Sequence, residues 1–256
     1  MKILDFFARR PMDSASASGT EESAANTPPG WDTTVTECAR CDMVERQLRK
    51  RDIRSRRVLE AMACVPRHLF VRPELAAEAY ADSPLPIGGG QTISQPYMVA
   101  AMAEALALEG NEKVLEVGAG SGYQAAVLSL LAREVIAVES LAILADSARA
   151  RLARMGYVNV RVEFGDGSEG WPADAPYDAI LVTAGAPSIP PPLIEQLSEG
   201  GRLVIPVGPP AQQDLVRVVK RNGHALQETL FACRFVPLLG KFGWPPGAGA
   251  AEPSRG

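Results

Sequence analysis

Three glycines at alternate positions, Gly118, Gly120 and Gly122, stand between two carboxylates, Glu116 and Glu139. Such a turn lets the backbone bend sharply and approach a ligand closely, because a Cβ there would collide with it. The N–H groups that open the following helix point at whatever sits above the turn. Glu139, 21 positions after Gly118, is placed to accept hydrogen bonds from the two hydroxyls of a ribose. These features describe a nucleoside cofactor. The spacing is G-x-G-x-G rather than the G-x-G-x-x-G of dinucleotide enzymes, and Glu116 would lie where a dinucleotide carries its pyrophosphate. Beside the cationic amino-acid end of S-adenosylmethionine the same carboxylate is favourable. A third acid, Asp166 in Gly165-Asp166-Gly167, stands at a later strand tip and suits the exocyclic amine of adenine.

Hydropathy supplies the elements that must position these groups. Residues 114–117 read as a buried strand, 123–132 as a helix and 135–138 as a second strand ending on Glu139. Ser140 is expected to cap a helix with Leu141, Leu144, Ala148, Leu152 and Met155 on one apolar stripe, closed by Gly156. Val158, Val160, Val162 and Phe164 alternate as a third strand, and residues 177–183 make a fourth. A helix over 190–197 is stopped by Gly200-Gly201, and 202–207 is a fifth strand. Residues 215–219 and 229–235, joined by Arg221-Asn222-Gly223, predict a terminal hairpin. Strands and helices in alternation imply an α/β fold, a doubly wound and mostly parallel sheet with a C-terminal antiparallel hairpin. Ligands bind such sheets at the carboxyl ends of the strands, where Glu116, Glu139, Asp166 and the 183–187 loop converge.

Upstream, residues 1–42 read as a poorly ordered leader, rich in Ser, Ala, Thr, Glu and Pro over 13–30. A small helical addition follows, with helices over 43–51 and 55–63. The seven Lys and Arg between Arg46 and Arg57 read as solvated helix faces, since no aromatics are interleaved with them. His68, beside an apolar run, reads as packed or exposed rather than catalytic. Residues 81–97 form a shaped loop, because Pro84, Pro86 and Gly88-Gly89-Gly90 forbid regular structure. A helix near 96–108 begins after Ser94 and Gln95, with Pro96 in its first turn. Ser94 is then either an N-cap or a hydroxyl that holds an anionic group; pattern favours the cap. The nucleoside-binding core spans 111–242 within a domain of 43–242, and 243–256 is a loose tail.

Composition narrows the alternatives. The 256 residues are 46% hydrophobic, enough for one full core. With 26 basic against 30 acidic residues, nothing points to nucleic acid or an anionic membrane. No apolar run reaches a membrane span or a signal peptide, so the default compartment is the cytoplasm. Cys38 and Cys41 form one CxxC without a second ligand pair near by, so no metal site is expected. A G-x-S-x-G elbow, a Walker lysine and HExxH are all missing from the sequence. A methyltransferase with some other acceptor, or a non-catalytic nucleoside-binding module on the same fold, remains as an alternative.

The motifs VPRHLFV, LPIGGGQTISQPYMVA, VLEVGAGSGY, GDGSEGW, APYDAILVTAGAP, GGRLVIPVG and RFVPL occur in that order within residues 43–240. In this the chain resembles the protein-L-isoaspartate (D-aspartate) O-methyltransferases, with LPIG..QTISQP the most specific segment. The resemblance implies a class I S-adenosylmethionine-dependent methyltransferase fold whose last two strands depart from the usual order. It implies S-adenosylmethionine as donor and isoaspartyl residues of damaged proteins and peptides as acceptors, with the D-aspartyl β-carboxylate as a second candidate. It marks Ser94 as the active-site residue and Thr92, Ile93, Gln95 and Pro96 as the segment covering the cofactor. Cofactor contacts map onto Gly118, Gly120, Gly122, Glu139, Asp166 and Gly167, and the family suggests a monomer.

Overall fold

The computed structural model describes residues 32–245. Helix α1 (Thr34–Asp42) opens with a capping box: the Thr36 amide donates to the Thr33 hydroxyl, and the Thr33 amide donates back to Thr36 Oγ1 at 2.8 Å. Order therefore reaches into the stretch assigned to the leader, because a Thr-x-x-Thr cap starts a helix where composition reads as polar filler. Residues 1–31 and 246–256 lie outside the described residues. A π-helical stretch, Met43–Arg49, continues α1 and buries Met43, Val44 and Leu48. Helix α2 (Arg56–Cys64) is capped by Ser55, whose hydroxyl accepts from the Val58 amide. The basic residues of this region meet acids, Arg46 with Asp42, Arg49 with Glu45, Arg51 with Asp82 and Arg56 with Glu60.

The proline- and glycine-rich loop folds as a small flap, β1 (Leu85–Gly88) paired antiparallel with β2 (Gln91–Ile93). Gly88, Gly89 and Gly90 all have positive φ, which makes so tight a return possible. Helix α3 (Pro96–Ala105) follows, with Gln95 rather than Ser94 at its N-cap and no side chain of its own closing the turn.

The remaining elements build one sheet. They are β3 (Lys113–Val117), α4 (Tyr123–Ser129), β4 (Glu134–Glu139), α5 (Ala142–Arg154), β5 (Val160–Phe164), β6 (Tyr177–Val182), α6 (Pro191–Glu195), β7 (Leu197–Val207), β8 (Gln213–Arg221) and β9 (His224–Cys233). Strand order is β5-β4-β3-β6-β7-β8-β9, parallel through β7 and antiparallel thereafter. The last two strands thus add in chain order. Alternation along the strands divides the core: Val114, Ala137, Ala179 and Val204 pack on the face carrying α3, α4 and α5. Leu115, Ile136, Ile180, Leu203 and Leu193 of α6 fill the other. Asn222 (φ 51°) and Gly223 (φ 76°) make the two-residue turn between β8 and β9, with Arg221 opposite His224.

Several sequence expectations shift. Helix α4 stops at Ser129, whose hydroxyl donates to the Ala126 carbonyl at 2.7 Å while Asn159 takes the Ser129 carbonyl. Ser140 does not cap α5: the N-cap residue is Leu141, whose side chain caps nothing and whose amide donates to Glu139 Oε1 at 3.0 Å. Gly200-Gly201 lies inside β7, where a bulge against β6 accommodates it. Strand β5 begins at Val160, leaving Val158 exposed, and as an edge strand it also exposes Phe164.

Candidate active site

The glycine turn sits at the carboxyl end of β3, the middle of the parallel sheet. Gly118 (φ 96°), Gly120 (φ 53°) and Gly122 (φ 87°) all occupy the left-handed region. Gly118 donates to the Val138 carbonyl at 2.8 Å, tying the turn to the neighbouring strand. From the other side Thr183 Oγ1 donates to the Gly118 carbonyl at 2.7 Å. A Cβ on Gly118 would fall 2.5 Å from that hydroxyl, so glycine is required for packing as well as for φ.

The turn forms one wall of a cleft. Val138, Glu139, Ser140 and Leu141 of the β4 tip make the next wall, with Gly167, Thr183 and Ala184 from later strand ends. Gln91 and Thr92 of the flap and residues 236–239 close it. Among the sequence-predicted residues, Thr92, Gly118, Gly120, Glu139 and Gly167 therefore meet at one cleft. Ile93, the last residue of the flap, and Pro96 are buried, and Ser94 and Gln95 between them are half-buried. Ser94 makes no side-chain hydrogen bond to the described residues, so its hydroxyl is uncommitted within the protein. The flap reaches across: a Cβ on Gly89 would lie 2.8 Å from Leu141 Cδ1, and one on Gly120 would lie 3.2 Å from Ile87 Cδ1.

The three acids have different surroundings. Glu139 Oε2 accepts from the Gly120 amide at 2.8 Å while Oε1 accepts from Leu141, so this side chain shapes the turn and lines the cleft together. Asp166 Oδ1 accepts from the Ser168 amide and hydroxyl at 2.9 and 2.7 Å, and Oδ2 accepts from the Lys241 amide at 2.8 Å. Asp166 is not among the residues that line the cleft; its carboxylate ties the 166–168 turn to the C-terminal segment. Glu116 is fully buried, and neither oxygen has a hydrogen-bond partner. Burial, helped by the nearby Glu139 carboxylate, pushes its pKa well above the usual carboxylate range. A buried acid left without a partner is costly unless a cation or donor completes it.

Residues 236–239 carry no spacing signal of their own; the RFVPL motif is the one feature of the sequence that marks them. They reach the cleft through long-range pairing. Gly185 donates to the Val236 carbonyl and accepts from the Leu238 amide, both at 2.8 Å, and Gln213 Oε1 accepts from the Phe235 amide. Gln91, Ser140 and Leu141 likewise join the lining without a motif of their own. His68 packs against Tyr80, with Nδ1 2.7 Å from the phenol oxygen, far from any role the sequence could assign it. Among the described residues no cluster of His, Cys, Asp and Glu suits a metal ion, and Cys38 and Cys41 are free on α1.

A parallel sheet with a glycine turn, a ribose-type acid and a flap over the strand ends defines the class I methyltransferases. The chain belongs to the Protein-L-isoaspartate(D-aspartate) O-methyltransferase (PCMT) family, whose model matches residues 39–243. It is 56% identical to a protein-L-isoaspartate O-methyltransferase of Geobacter metallireducens over 81% of this chain and 97% of that protein. Against a namesake of Methanoculleus marisnigri it is 57% identical over 79% of this chain and 92% of the relative. A solved protein-L-isoaspartate O-methyltransferase superposes with a TM-score of 0.72 at 30% identity, covering 80% of this chain and 67% of that one. A Plasmodium falciparum structure described as such an enzyme in complex with S-adenosyl-L-homocysteine gives 0.68 at 26% identity, over 78% of this chain and 98% of the other.

Proposed function

We propose that this chain is a repair methyltransferase that esterifies the free α-carboxylate of L-isoaspartyl residues in damaged proteins and peptides. The D-aspartyl β-carboxylate is a second acceptor, and S-adenosylmethionine is the donor. The observation that supports this reading is the seating of Gln91 and Thr92 of the flap on the glycine-turn cleft, with Ser94 two positions after Thr92. The donor fits the residues present. Glu116, buried and unpartnered, is held toward its neutral form by that burial, and a cationic amino-acid end near by would supply the counter-charge that lets it ionise. Glu139 lines the cleft where ribose hydroxyls belong, and Gly167 lines the end that suits adenine. Asp166 serves that end by holding the turn. Thr92, Ile93, Gln95 and Pro96 cover the donor from above, as Gly118, Gly120 and Gly122 support it from below.

When bound, the donor supplies a methyl group on a sulfonium, so its leaving group departs neutral. Little acid–base work is left for the protein. An α-carboxylate, with an intrinsic pKa of about 3.3–3.7, is already ionised at neutral pH and is the nucleophile. Ser94 donates a hydrogen bond that orients this carboxylate without forming a covalent intermediate. A neutral hydroxyl suits the task better than a lysine, because charge is consumed during transfer and a strong cationic clamp would favour the ground state. Flap and C-terminal segment align the reactants and keep water out. The ester then closes to a succinimide, whose hydrolysis returns some normal aspartate.

The same reading makes the protein a cytoplasmic monomer without nucleic-acid or membrane partners, in keeping with its near-balanced charge. The decisive experiment uses labelled S-adenosylmethionine and two peptides that differ only in Asp against isoAsp. Base-labile label on the isoAsp peptide alone is expected. Donor binding with label on neither peptide would replace this reading with another acceptor or a binding module.

A further inference from the structure

The flap that carries Thr92 and Ser94 leaves the body of the protein near Asp82 and rejoins it at Tyr97. These two points are bonded to each other. Asp82 Oδ1 accepts from the Tyr97 amide at 3.0 Å, across 15 positions of sequence. Because α3 has no capping side chain of its own, this bond caps the helix from a distance. Asp82 Oδ2 also accepts from Arg51 Nη1 at 2.7 Å. The same guanidinium lies over the Tyr97 ring, with Cζ 3.5 Å from its centroid. The Tyr97 hydroxyl donates to Asp52 Oδ2 at 3.0 Å. Tyr97 is thus held at its amide, its ring face and its hydroxyl by Asp82, Arg51 and Asp52.

We propose that Asp82 is a positioning residue for methyl transfer: with Arg51 it clasps the base of the flap and thereby sets where Ser94 stands. Transmission follows from chain stiffness. Only Gln95 and Pro96 separate Ser94 from Tyr97; the proline ring fixes its own φ and restricts the residue before it. Gln95 is indeed extended, at φ −56° and ψ 148°. On the other side Ile93 is buried and pairs with Leu85, three positions after Asp82. A displacement at the clasp therefore reaches Ser94 with few soft torsions to absorb it. The donor site rests chiefly on the glycine turn and the strand tips, which the clasp does not touch, and the flap lines it only through Gln91 and Thr92, so the larger loss should fall on the acceptor step.

This inference rests on the repair-methyltransferase reading, and the test separates the two. Full-length wild type, Asp82→Ala, Asp82→Asn and Arg51→Ala are compared for turnover on an isoAsp peptide. Alongside, S-adenosylhomocysteine affinity is measured by calorimetry, and amide hydrogen exchange is followed over residues 91–99 and over α5. Asp82→Ala is expected to lower kcat by about tenfold to a hundredfold, the range a misplacement near 1 Å produces. Cofactor affinity should stay within about threefold, and exchange should quicken over 91–99 but not over α5. Asp82→Asn keeps an oxygen for the Tyr97 amide and should recover much of both effects; Arg51→Ala should fall between. Unchanged kcat and exchange in Asp82→Ala overturn the proposal. So does faster exchange throughout the protein without rescue by Asn, which marks a general loss of structure. If Asp82→Ala does not fold, Asp82→Asn and Arg51→Ala decide by the same split. A wild type inactive on isoAsp peptide sinks the functional reading, while the exchange data still judge the clasp.

Discussion

The glycine-turn wall and the flap that faces it are built from different kinds of contact. On the wall, residues near in sequence or on adjacent strands do the holding: Glu139 binds the Gly120 amide, and Gly118 binds Val138. Backbone groups dominate, and the parallel sheet fixes their spacing to within a hydrogen bond. In the flap, two short strands and three positive-φ glycines offer little internal stiffness, and the base is held by side chains from remote segments. On the proposed reading the donor, the same in every turnover, meets chiefly the wall, and the acceptor meets the side whose placement depends on the remote clasp.

Substitutions can break this contrast at either wall. Gly118→Val should have the largest effect, since it forces a β-branched residue to positive φ and places carbon against Thr183 Oγ1. A cost of several kcal/mol, of which about 1–3 is backbone strain, should abolish donor binding and lower Tm in a thermal scan. Ser94→Ala should leave S-adenosylhomocysteine affinity intact and reduce kcat. Losing one hydrogen bond to a charged group, about 1.5–3 kcal/mol, corresponds to about tenfold to a hundredfold. Wild-type turnover in this variant would remove Ser94 from the mechanism.

Glu139→Ala, in contrast, should raise the cofactor Kd by about tenfold, the equivalent of about 1.4 kcal/mol, with kcat at saturation less affected. An unchanged Kd in calorimetry would refute the ribose assignment. Glu116→Gln sharpens the comparison because its two effects have opposite signs. The folded protein holds this carboxyl above a glutamate's ordinary pKa of 4.5, so it binds the proton more tightly than the unfolded chain does. Stability is then full below that value and declines as pH rises toward the folded pKa. The glutamine variant, which has no charge to bury, should gain Tm over wild type as pH rises above about 4.5. Its donor affinity should fall, since the cation loses its counter-charge. A Tm difference that does not vary with pH would contradict the buried-acid account.

Much of the wall was legible in the chain, because each part of it is a local rule. Alternate glycines after an apolar strand, an acid at the next strand tip and the Asn222-Gly223 turn are all written within a few residues. The errors also came from local rules that lost to neighbours. Ser140 has the chemistry of a cap, yet the helix starts one residue later, behind Leu141, and the Ser140 hydroxyl donates to Glu139 Oε1 instead. Gly200-Gly201 has the look of a helix stop, yet pairing with β6 draws it into a strand. Thr33 and Thr36 begin a helix in a stretch whose overall composition argues against one.

The flap shows where such reading ends. Its glycines, its prolines and Ser94 stood out by type and by resemblance, and Ser94 read first as a cap. Only the folded chain shows that Asp82 takes that role, while the Ser94 hydroxyl has no partner among the described residues. The sequence by itself determined the sheet, the nucleoside turn and the set of candidate acids, because periodicity and turn chemistry act over a few residues. Tertiary structure alone decided which acid stays unpaired, which residues of the C-terminal segment close the cleft and what holds Tyr97. Each of those depends on groups tens of positions apart, whose meeting is set by packing and leaves no spacing in the chain.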